Sequence, residues 1–209
     1  MQEINTIKEN SVVEYVEKKS KFISHAYYVE TRAKADEIIK QVKAEYSDAK
    51  HNCYAYSVLE DNSIITKSSD DGEPSGTAGM PILNVIKEKR LTNVLIVVTR
   101  YFGGILLGTG GLARAYTKAS IDAVEKSEII TKELGYVVKF KTDYGKLEQL
   151  KYYLNQNKCN ICDITYLEKI ELIAEVSEKI KEELEQNVIK KDEMFEIMET
   201  LEIKYIQKN

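Results

Sequence analysis

The chain has 209 residues, with 30 Lys+Arg against 34 Asp+Glu and a formal net charge of −4, which excludes a polybasic protein that coats nucleic acid by bulk charge. Hydrophobic residues at 43% beside 31% charged residues exclude wholesale disorder, and two prolines exclude a Pro-rich linker. The sequence has no apolar run of about 18 residues, the amino-terminal MQEINTIKEN lacks the apolar core of a secretory signal, and three cysteines make no disulfide framework. The expectation is a soluble cytoplasmic chain with no membrane contact.

In chain order, Ser11–Glu17 and 21–29 read as strands separated by the polar Lys18-Lys19-Ser20. Thr31 is placed to cap a helix running to about Tyr46, with Ala35, Ile38, Ile39 and Val42 on one face. Residues 53–59 alternate aromatic and small side chains as a strand does. Pro81 suits the first turn of a helix through Arg90, where its missing N–H would be unpaired in any case. Val94–Val98 is a continuous apolar run, as in a strand buried on both faces. A helix is expected over 112–126, with Ala115, Ala119 and Ala123 spaced to let a sheet approach closely.

The remainder reads strand (136–141), helix (144–155), strand (159–166), strand (169–176), helix (177–188) and strand (near 201–206). That βαββαβ order is the ferredoxin-like pattern. Leu147, Leu150 and Leu154 form one buried stripe, and Ile180, Leu184 and Val188 the other. A division near Gly135 gives domains 1–134 and 135–209 with net charges of −1 and −3, so neither is basic.

Eight of the 10 glycines and both prolines fall between Gly72 and Gly111. Within this region a buried strand runs into Arg100-Tyr101-Phe102-Gly103-Gly104, and the loop ends in Gly108-Thr109-Gly110-Gly111 at the start of a helix. Such a junction directs backbone N–H groups and the positive end of the helix dipole at one place, where an anion can bind. Arg100, Arg114 and Lys118 add positive charge, and Tyr101 beside Arg100 can stack a base. The spacing matches neither the dinucleotide GxGxxG nor the Walker pattern, since Leu112-Ala113 stands where a lysine is needed. The plain alternative is a glycine turn that packs a helix tightly on its sheet.

A second segment, Asp70-Asp71-Gly72-Glu73-Pro74-Ser75-Gly76-Thr77, carries carboxylates without calcium-loop spacing and reads first as a turn-rich loop. His51 and Cys53 share a strand face, but no third group completes a catalytic pair. Cys159-Asn160-Ile161-Cys162 is a single CxxC in an expected strand, which supports neither zinc nor thioredoxin-like chemistry. No metal and no cofactor are expected.

Lys19-Ser20-Lys21-Phe22, residues 49–54, Asp71-Gly72-Glu73-Pro74 with Gly76-Thr77-Ala78-Gly79, and residues 99–111 together resemble the YigZ/IMPACT family. The resemblance implies an α+β protein of two domains. The first is a βαβ-type domain similar to domain IV of elongation factor G, and the second is ferredoxin-like. It also implies translational regulation: eukaryotic relatives compete for a ribosome-associated activator of the amino-acid-starvation kinase, a stress response.

The resulting expectation is a binding protein linked to translational control, contacting RNA, the ribosome or a ribosome-associated protein. Lys21, Arg100, Tyr101, Gly103, Gly104, Gly108, Gly110, Gly111, Arg114 and Lys118 form the expected surface. Arg100 meets phosphate in this reading, and the loop donates backbone N–H groups. The rival is an enzyme acting on a small phosphorylated or carboxylated ligand, with His51, Asp71, Glu73 and Thr77 as a second candidate loop. No catalytic residue is assigned.

Overall fold

A computed structural model of the chain describes residues 3–186 and 194–208. The chain divides into two compact units, one of them Ile4–Ile130 and the other continuing from Thr131. The fold is mixed α+β, as expected.

In the first unit, β1 (Ile4–Ile7) precedes β2 (Ser11–Glu17) and β3 (Ser20–Tyr28). They are followed by α1 (Arg32–Glu45), β4 (His51–Glu60), β5 (Ser63–Ser69), α2 (Gly79–Glu88), β6 (Val94–Tyr101) and α3 (Gly108–Lys126). The main sheet has the order β2-β3-β6-β4-β5, and every neighbouring pair is antiparallel. β3 and β4 therefore run in the same direction on either side of β6, with α1 as the crossover: a split βαβ unit.

Alternation assigns the two faces of this sheet. Phe22, Ala26, Cys53, Ala55, Ile96 and Val98 pack against α2 and α3, together with Ile82, Ile86, Ala115, Tyr116, Ala119 and Ala123. Tyr54, Tyr56, Val58, Leu95 and Val97 pack against α1 through Ala35, Ile39 and Val42. The apolar run in β6 is thus covered on both faces. Thr31 caps α1 as expected, its hydroxyl accepting from the Lys34 N–H at 3.1 Å.

Three features depart from the expected pattern. β1 and β5 are additional strands, and β5 is a polar edge strand held to β4 by a two-residue turn with Asp61 and Asn62 at positive φ. α3 begins at Gly108 rather than Leu112, because packing of its alanine face carries the helix back through three glycines of low propensity.

The second unit takes β7 (Ile129–Thr142), α4 (Leu147–Gln156), β8 (Asn160–Tyr166), β9 (Ile170–Ser177), α5 (Glu178–Gln186) and β10 (Ile197–Gln207). This is the expected βαββαβ order. β7 pairs with β9 and β10, and β9 with β8, all antiparallel. Leu147, Leu150, Leu154, Ile180 and Leu184 cover one face over Val138, Phe140, Leu172 and Ala174. Val188 lies outside the described residues. Gly135, the expected point of division, falls within β7, where a Cβ would lie 2.4 Å from Ile206 Cδ1.

Candidate binding site at the glycine loops

The two loops singled out in the sequence meet at the end of β6. Arg100 projects toward the α2/α3 side of the sheet, and its Nη1 donates to Glu73 Oε1 at 2.7 Å. The two side chains are only 7% and 3% exposed. The same Glu73 oxygen accepts from the Tyr116 hydroxyl at 2.9 Å, and Cys53 Sγ is 3.3 Å from that hydroxyl. Arg100 Nη2 donates to Ser20 Oγ at 3.4 Å, and Ser20 Oγ also accepts the Gly103 N–H at 3.2 Å. The guanidinium carbon lies 5.6 Å from the ring centroids of both Phe22 and Phe102. One chain of contacts therefore joins β3, β4, the 70–79 loop, β6 and α3.

This placement changes the expected role of Arg100. Its charge is already paired and shielded, so it braces the loop from within and is not presented to a phosphate in solution. Burial also accounts for the titration of its neighbours. It pushes the Cys53 thiol up to about 12 and the Tyr116 hydroxyl far above the ordinary tyrosine range. Neither group is a ready nucleophile.

The 70–79 loop is closed by its own carboxylates. Asp70 accepts the N–H groups of Gly76, Ala78 and Gly79 at 2.8–3.0 Å, fixing the loop to the start of α2. Burial alone would raise the Asp70 carboxyl; those N–H groups together hold it below the usual range. Asp71 binds Lys43 Nζ and the Asn52 N–H, while its carbonyl meets His51 Nδ1 at 2.9 Å. Thr77 donates to the Pro74 carbonyl at 2.6 Å. His51, Asp71, Glu73 and Thr77 are thus each engaged by a partner within the fold.

On the outer side, the glycine loop is exposed. Gly103 has no room for a side chain, since a Cβ would lie 2.0 Å from the Lys19 carbonyl carbon. The β2–β3 turn, Lys18 and Lys19, is thereby seated against the loop. Gly104 and Gly108 take φ of +82° and +69°. Gly108, Gly110 and Gly111 form the first turn of α3, which has no side-chain cap and no acidic residue. Arg114 is exposed on that helix, with Nη1 3.5 Å from where a Gly110 Cβ would lie.

Other expected contributors are engaged elsewhere. Tyr101 donates to Asp48 at 2.7 Å beneath Lys21, whose Nζ is 5.2 Å from the ring centroid. Lys118 pairs with Asp122 one turn along α3. The exposed apolar groups on the loop are instead Phe102, Ile105 and Leu106. Ser20 and Tyr116 join this network without belonging to the surface expected from the sequence. A tyrosine on the alanine-lined face of α3 was the one available signal.

Among the described residues no helix is long and apolar enough to cross a membrane, and no cluster of three or more His, Cys, Asp or Glu side chains is placed to hold a metal ion.

The family model described as the Impact N-terminal domain matches residues 18–124, and a domain of unknown function, DUF1949, matches 140–191. The chain is 41% identical over 174 residues to the IMPACT family member YvyE of Bacillus subtilis, covering 83% of this chain and 80% of that protein. It is 34% identical to an IMPACT family member of Haemophilus influenzae, covering 89% and 91%. A crystal structure described as that of an hypothetical protein superimposes with a TM-score of 0.63 at 29% identity, covering 98% of both chains. The loop residues that build the site, from Lys18 to Tyr116, all lie inside the first matched domain, and the chain belongs to the IMPACT family in its two-domain form.

Proposed function

We propose that the protein acts by binding, as a cytoplasmic translational regulator that contacts ribosomal RNA through the outer face of its glycine loop. The observation that carries this reading is the group of unpaired positive elements around Gly103–Gly111. Lys18, Lys19 and Arg114 have no ion-pair partner among the described residues, and the amino end of α3 is uncapped. Arg100 acts indirectly, by fixing the loop. Phe102 replaces Tyr101 as the exposed ring available for stacking. Family membership supports the link to translation. The enzymatic alternative has less support, because His51, Asp71 and Glu73 are all engaged internally.

The test is equilibrium binding to structured ribosomal RNA across a salt series, for the wild type and a Lys18→Ala/Lys19→Ala/Arg114→Ala variant. The wild type should weaken with salt, and the variant should lose about 0.7–0.9 of log–log slope for each phosphate contact removed. Equal slopes for the two proteins would overturn the assignment. No binding at low salt would direct attention to a ribosome-associated protein instead.

A further inference from the structure

The second unit holds a cavity of about 500 Å³ at one end of its sheet, where β7 and β8 begin and β9 and β10 end. Ile206, which lines it, packs into the space a Cβ on Gly135 would occupy. The lining carries both signs of charge. Glu133 and Glu175 supply carboxylates, and Lys158 and Lys179 supply ammonium groups.

The carboxylates differ in availability. Glu175 is held by Lys204 at 2.8 Å and Asn160 at 3.2 Å, which keeps it ionised. The Glu133 side chain makes no hydrogen bond and no close ion pair among the described residues, feeling only the more distant charge of Lys208, and so it is the acceptor left for a ligand. On the basic side, the ion pair of Lys179 with Glu183 is stretched to 3.9 Å and its side chain is 80% exposed. The Lys179 ammonium can turn to a ligand without breaking a strong contact.

The backbone adds the same polarity. The carboxyl end of α4 reaches the cavity at Asn157, and the amino end of α5 reaches it at Ser177 and Lys179. The carboxyl end of one helix and the amino end of another therefore border one space, the latter with Ser177 Oγ accepting the Ile180 N–H at 3.4 Å and Glu178 in its first turn. A purely anionic ligand would meet Glu133, and a purely cationic one would meet Lys179. A ligand that carries both charges satisfies both sides.

From this we infer that the cavity is a binding site for a small zwitterion, a free α-amino acid. Its ammonium group is placed at Glu133, and its carboxylate at Lys179 and the start of α5. The site lies wholly within the second unit and does not depend on the RNA reading.

The experiment is an NMR titration of the full chain with glycine, L-leucine and L-glutamine, using acetate and methylammonium as singly charged controls. At least one amino acid should shift the backbone amides of Cys159, Lys179 and Ile180 to saturation, at concentrations where neither control does. Glu133→Gln and Lys179→Met should each weaken that binding about tenfold while leaving the thermal midpoint within a few degrees. Saturation by acetate alone, amino-acid shifts no larger than those of the controls, or unchanged affinity in both variants would each overturn the proposal.

Discussion

Glu73 and Arg100 are joined at 2.7 Å across 27 positions of sequence, with both side chains almost fully buried. A buried pair of this kind is costly to break from one side, because the remaining charge has no water to turn to. Arg100→Met and Glu73→Met should each destabilise the first unit by about 3–5 kcal/mol in urea unfolding. The double variant Glu73→Met/Arg100→Met should cost clearly less than the two single changes added together. Strict additivity would show that the two groups do not act as a pair.

Two adjacent glycines should respond differently to the same substitution. Gly104→Ala introduces strain at a φ of +82° but meets no atom within 4 Å, so a loss of about 1–2 kcal/mol is expected. Gly103→Ala drives a methyl group into the Lys19 backbone at 2.0 Å and must displace the β2–β3 turn. Thermal unfolding should therefore rank Gly103→Ala well below Gly104→Ala. The reverse order would show that Gly103 is not packed against the Lys19 backbone.

The three thiols should react in a fixed order with a thiol-specific disulfide reagent at pH 8. Cys162 is exposed and reacts first. Cys159 is half-buried, and burial pushes it up to about 11, so it follows slowly. Cys53 is buried, pushed up to about 12, and should react only on unfolding. Early labelling of Cys53 in the native protein would show that the Glu73–Tyr116 contact opens readily.

His25 provides a test by pH. Its ring is buried with Nδ1 3.1 Å from the Tyr27 hydroxyl and Nε2 without a partner, and burial lowers its pKa below the ordinary 6.5. The unfolded chain therefore binds the proton more readily than the folded one. The stability this group contributes is complete above about pH 6.5, and it is lost as pH falls from there through the folded pKa. In wild-type protein, stability should decline as pH falls below about 6.5, and His25→Gln should flatten that limb. An unchanged limb in the variant would assign the loss to other groups.

Most of the architecture was legible because it rests on local periodicity and end signals. Thr31 before α1, the unbroken apolar run in β6 and the βαββαβ order of the second unit are all one-dimensional patterns. β5 was not legible: its Ser63–Ser69 sequence is polar and carries no clear alternation. It is a strand because the Asp61-Asn62 turn brings it back along β4, and pairing satisfies its backbone.

For the candidate site, the sequence by itself drew attention to two segments, since the glycine clusters and the family's motifs can be read without coordinates. It also determined that Gly103–Gly111 leads into a helix and that the chain carries no net positive charge. Only the tertiary structure decided that Arg100 is a buried brace, with Glu73 and Tyr116 as its partners. The reason is physical: a guanidinium reads the same in sequence whether water or a carboxylate surrounds it. Its partner comes from a different loop, and the two meet only when β6 and the 70–79 loop are folded against the same face of the sheet.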